Sequence, residues 1–124
     1  MKIAIASDDG QTISQHFGRA PYYVVVTIEG GKVTQREQRN KAAHVHAAGE
    51  PHHQQNSGGP DHHTMMADAI RDCQIVLARG MGRPAYLSMQ AAGIQPMVTD
   101  IADIDAAVAA YIAGNMVDHT ERLH

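Results

Sequence analysis

The 124-residue chain has one cysteine, no tryptophan and one phenylalanine. A lone thiol, Cys73, cannot form an intramolecular disulfide, so nothing points to an oxidising compartment. Long apolar runs are missing. None approaches the ~20 residues of a membrane span. At the N-terminus only Ile3, Ala4, Ile5 and Ala6 run together before Asp8 and Asp9, which is too short for a secretory h-region. A cytoplasmic chain with no membrane contact is expected. Positive charge is not in excess either: 10 Lys and Arg stand against 13 Asp and Glu, a formal charge of −3. A general nucleic-acid surface needs the opposite balance, so no nucleic-acid partner is expected. The length suits one domain with one modest core, as a monomer or weak homodimer. What is abundant is histidine: nine in all, six of them between His44 and His63. Seven methionines fill core gaps that aromatic residues would otherwise occupy.

Periodicity predicts the elements. A strand over 2–7 carries Ile3 and Ile5 on one face and Ala4 and Ala6 on the other. The β-branched and aromatic run 22–28 reads as a buried central strand. Glu29-Gly30-Gly31 is a hairpin turn signal, and 32–38 is a polar strand suited to a sheet edge. From 40 to 60 the pattern dissolves into a long His-rich loop punctuated by Gly and Pro. A helix starts near Asp61 and presents Met65, Met66, Ala69, Ile70 and Cys73 as one stripe. A short strand covers 75–78. A helix follows from Pro84 to about Ala92 with Gly93 after it, then a strand over 96–99. The last helix begins at Asp103 or Asp105 and ends at Gly114. The order is β-β-β-α-β-α-β-α, an α/β five-stranded mixed sheet with its second strand antiparallel. One domain is expected over 1–114, followed by a polar tail at 115–124.

Three places could carry chemistry. The first is Ser14-Gln15-His16-Phe17-Gly18-Arg19-Ala20-Pro21-Tyr22-Tyr23, beyond the first strand at the edge where open α/β sheets bind ligands. Imidazole ligates transition metals, and guanidinium attracts an anion. The second is Arg79-Gly80-Met81-Gly82-Arg83-Pro84, where a strand ends and a helix opens. Backbone N–H groups there attract anions. It lacks the third Gly of a dinucleotide fingerprint and the Lys of a P-loop. Strands one and four are expected to pair in parallel, so His16, Arg19, Gly80, Met81, Gly82 and Arg83 should share one rim around an anionic guest. The plain alternative is a packed loop beside a tight βα turn. The third place is the His-rich loop with its flank: His44, His46, His52, His53, His62 and His63 could chelate a divalent transition metal. Its plain alternative is a solvated polar segment. Cys73 and the Met65-Met66 pair read as core. Asp8 and Asp9 could hold a divalent ion for hydrolysis but lack further carboxylates nearby.

His16-Phe17-Gly18-Arg19-Ala20-Pro21-Tyr22-Tyr23, taken with Arg79-Gly80-Met81-Gly82-Arg83 and Ala92-Gly93-Ile94, resembles the dinitrogenase iron–molybdenum cofactor biosynthesis family. The likeness spans about 1–114 and is to its short, stand-alone, nitrogenase accessory factor-like members. It implies a ribonuclease H-like fold. It also implies non-enzymatic binding of an iron–sulfur or iron–molybdenum cluster, or a precursor, carried between donor and acceptor proteins. In that reading the 80–82 amides with Arg19 and Arg83 neutralise the guest, and His16 or a loop His ligates it. Ligation needs neutral imidazole, so loading should weaken on acidification. The rival readings are a nickel, zinc or copper buffer built on the His-rich loop, a scaffold with idle histidines, and a hydrolase.

Overall fold

The computed structural model of the chain describes residues 1–40 and 67–123. Five strands form one sheet: β1 (Lys2–Ser7), β2 (Tyr22–Glu29), β3 (Lys32–Asn40), β4 (Ile75–Ala78) and β5 (Gln95–Val98). Two helices follow the later strands, α1 (Arg83–Ala91) and α2 (Ile104–Ala113). The strand order is β3-β2-β1-β4-β5. β2 is antiparallel to both β1 and β3, whereas β4 is parallel to β1 and to β5.

The two central strands are apolar on both faces because helices cover both. Ala4, Ala6, Tyr23, Val25, Val76 and Ala78 share one cluster with Ala85 and Met89 of α1. Ile3, Ile5, Val24, Val26 and Leu77 share the other with Ile104, Ala107 and Val108 of α2. β3 is almost wholly exposed, and its Lys, Arg, Glu and Gln side chains suit the edge it occupies. It joins β2 through Gly30 and Gly31, whose φ angles of 62° and 78° fit a two-residue hairpin turn. Asp103 caps α2 by accepting from the Ala106 amide at 2.9 Å. Gly114, at φ 79°, closes that helix.

The helix expected from Asp61 to Cys73 needs correcting. Its beginning lies outside the described residues, as does the whole His-rich loop. Its end is shorter than the stripe implies: 67–68 are helical, and 69–72 are turns. The amides of Ile70, Arg71 and Cys73 each reach back three residues, to Ala67, Asp68 and Ile70. That spacing tightens the coil and steers the chain into β4. Ile70 and Cys73 stay buried, so the apolar stripe correctly marked the inward side. Burial pushes the Cys73 thiol up to about 12, as a core side chain requires.

One polar cluster fixes this turn to the sheet. Arg39 donates from Nη1 and Nη2 to the two Asp72 oxygens at 2.7 and 2.9 Å, and from Nη1 to the Ala69 carbonyl at 2.9 Å. Lys2 Nζ adds a contact to Asp72 at 3.0 Å. Arg39, with help from Lys2, holds the Asp72 carboxyl well below the usual carboxylate range. The folded state therefore binds the Asp72 proton less readily than the unfolded chain. The cluster's contribution is complete above the unfolded carboxylate pKa of about 4 and fades as pH falls towards the folded value. Asp72 is about half exposed, so Asp72→Asn should cost about 1 kcal/mol at pH 7, the upper end for an exposed pair. Urea unfolding should show the gap between wild type and variant narrowing from pH 5 to pH 3.

Candidate functional site

β1 and β4 pair with Ile3 opposite Ile75 and Ile5 opposite Leu77, so both strands end at one rim of the sheet. The loop after β1 first secures itself. Ser7, fully buried, donates from Oγ to the Thr12 carbonyl at 2.6 Å and accepts the Gly10 amide at 2.8 Å. Asp9 Oδ1 accepts the amides of Thr12 and Gln11 and the Thr12 hydroxyl at 2.8 to 2.9 Å. Those N–H groups, Thr12 first, bring the Asp9 carboxyl down to about 2. Asp9 is thus a staple of its own loop. The carboxylate pair considered for hydrolysis has one member already engaged.

The chain then returns along the rim. Ser14 is buried, and its Oγ accepts the His16 amide at 3.0 Å and donates to the His16 carbonyl at 3.2 Å. That carbonyl also accepts the Arg19 amide at 2.9 Å, which opens a single 3₁₀ turn over Phe17–Arg19. Phe17 faces inward onto Tyr23, with ring centroids 6.1 Å apart. His16 and Arg19 are left exposed. The backbone that carries them is therefore fixed, while their side chains face solvent.

Two main-chain bonds tie this loop to the turn after β4. The Arg79 amide donates to the Ser14 carbonyl at 2.8 Å, and the Phe17 amide donates to the Gly80 carbonyl at 3.0 Å. The sequence-predicted segments thus meet at one rim. Within the turn, Gly80 and Met81 are buried, Gly82 is half-buried and Arg83 is exposed. Met81, expected among the binding positions, packs its side chain in the core at 1% exposure. Only its backbone remains to serve a guest. The six histidines at 44, 46, 52, 53, 62 and 63 lie outside the described residues. Among the described residues, no three of His, Cys, Asp and Glu are grouped to hold a metal ion.

Arg79 stands out. It is half-buried, and its Nε is fully buried with no hydrogen-bond partner among the described residues. A buried donor left unpaired costs about 1–3 kcal/mol, which an acceptor from outside the chain would relieve. The C-terminal segment forms another edge of the rim. Leu123 pairs with Met81 in a parallel bridge, and the His119 amide donates to the Val98 carbonyl at 2.7 Å. Two open depressions among the described residues lie beside β3. One of about 430 Å³ is lined by Lys2, Val25, Thr27, Gln35, Arg36 and Glu37. A second, of about 300 Å³, also involves Arg36 and Glu37. The tail borders the rim that carries His16 and the glycine turn.

Residues 1–114 match the model of the family described as dinitrogenase iron–molybdenum cofactor. The chain belongs to this family. Solved structures agree on the fold. PH0822 is 27% identical, covers 96% of this chain and 95% of its own, and has a TM-score of 0.70. The apo form of the orange protein from Desulfovibrio gigas is 22% identical over 94% of this chain and 91% of its own, at a TM-score of 0.69. MJ0327 from Methanococcus jannaschii is 15% identical over 95% and 92%, at 0.67. No match was found among curated proteins. The family match takes in both rim segments and stops short of the tail.

Sequence reading missed two members of this family rim. Arg79 was seen only as part of the turn, because nothing in the sequence marks an Nε as buried without a partner among the described residues. Ser14 was readable: a Ser two residues before His16 is the spacing of a side chain that bonds nearby backbone. Ser14→Ala should cost about 1–2 kcal/mol by stranding the His16 amide. Hydrogen exchange should quicken at the His16 and Arg79 amides and stay unchanged at the Thr99 amide, which bonds Ala78.

Proposed function

We propose that this chain binds an anionic iron–sulfur or iron–molybdenum cluster, or a precursor of one, at the rim formed by loop 14–19 and turn 79–83. It then carries that cargo between a donor and an acceptor protein without catalysing a reaction. The observation that carries the reading is the pair of crossing main-chain bonds, Arg79 to Ser14 and Phe17 to Gly80. They bring one imidazole and three guanidinium-bearing positions onto two joined segments. The buried Nε of Arg79, without a partner among the described residues, supports it as a donor waiting for an acceptor.

Each group has a role in this reading. Arg19, Arg79 and Arg83 offset the negative charge of the cargo. The Gly82 amide, at the opening of α1, donates to it. His16 supplies one neutral imidazole ligand to an open metal position. A single imidazole lets go more readily than four thiolates, and a carrier must release what it binds. The strand order 3-2-1-4-5 with an antiparallel second strand supports a ribonuclease H-like description of the scaffold. Family membership supports the cluster chemistry.

The test is anaerobic reconstitution with ferrous iron and sulfide, with and without molybdate, followed by visible spectra and metal analysis. The wild-type chain should become coloured. His16→Ala and Arg79→Ala should each reduce loading by about tenfold, and the chain should stay folded. Loading that survives His16→Ala, Arg79→Ala and removal of residues 44–63 would sink the reading.

A further inference from the structure

Residues 115–123 lie beyond the family-matched part of the chain, yet they do not leave the domain. Asp118 Oδ1 accepts the Val98 amide at 2.8 Å, and the His119 amide donates to the Val98 carbonyl at 2.7 Å. This pair ties the tail to the last residue of β5. The His119 ring sits between two carboxylates, Glu121 at 2.9 Å and Asp100 at 3.6 Å. A short 3₁₀ turn at Thr120–Arg122 then redirects the chain. Leu123 reaches Met81, pairs with it, and packs on the cluster that holds Phe17 and Met81. Turn 80–82 is thereby held between two neighbours, Phe17 on the Gly80 carbonyl and Leu123 beside Met81.

From this geometry we infer that residues 118–123 form a strap that must lift from turn 80–82 before an anionic guest can use the amides there. This rests on the rim reading proposed above and adds a regulatory step to it. The strap is built to open. It is held by one bond at each of two backbone positions on Val98, the half-buried His119 ring, and a half-buried leucine with its bridge to Met81. On the strap's side Asp118, His119 and Leu123 are all only half-buried, so the strap can detach without unfolding the sheet. While it is docked, the binding-competent fraction is small and the apparent affinity falls in proportion.

The experiment uses the full chain. Asp118→Ala and Leu123→Ser should each raise loading by ferrous iron and sulfide at limiting reagent, together by about tenfold. Neither residue touches the proposed guest. In the wild-type chain, loading should also speed hydrogen exchange at the His119 amide, which docking protects. Equal loading in wild type and both variants, with His119 exchange unmoved and His16→Ala still impaired, overturns the strap and leaves the rim standing. Loading in none of them overturns both. Should either variant unfold, His119 exchange in the wild-type chain decides alone.

Discussion

Because β1 and β4 lie side by side and run the same way, the loop after each strand emerges at the same rim. Everything proposed for this molecule depends on that pairing. An antiparallel arrangement of the same strands would send the His16 loop and the glycine turn to opposite edges. The pairing in turn depends on burial from both faces. Ile3, Ile5 and Leu77 feed one apolar cluster, while Ala4, Ala6, Val76 and Ala78 feed the other. Parallel strands need such cover, and α1 and α2 provide it.

Around the rim, polar groups are spent carefully. Ser7, Asp9 and Ser14 each satisfy several backbone groups of a loop that has little regular structure of its own. This fixes the backbone beneath His16 and Arg19 while leaving their side chains exposed. A rigid platform with exposed cationic and imidazole groups suits a guest that must arrive and depart, because little ordering is needed at each visit. Against that economy the Nε of Arg79, without a partner among the described residues, is an exception, and it falls where the two segments join.

Away from the rim, the Arg39–Asp72 pair shows how a connection is secured without a long helix. The bidentate contact and the bond to the Ala69 carbonyl pin a tight turn to β3. The apolar stripe through Ile70 and Cys73 then faces inward although the coil has left α-helical geometry. Burial in this stretch follows from side-chain chemistry, and its conformation follows from contacts thirty or more residues distant.

Strand content, the hairpin at Gly30 and Gly31, the helix stops at Gly93 and Gly114, and the edge position of β3 were all legible in the sequence. Each arises from local sterics or from a hydrophobic period of two or 3.6 residues. The rim itself was legible at the level of segments, since parallel pairing of strands one and four follows from the alternation of strand and helix. The sequence could not show that Met81 turns inward, that Arg79 keeps a buried donor with no partner among the described residues, or that the tail docks beside the turn. These are properties of three-dimensional packing: they depend on which atoms fill the space around a side chain. Those neighbours come from positions as distant as Ser14 and Leu123, and no local pattern records them.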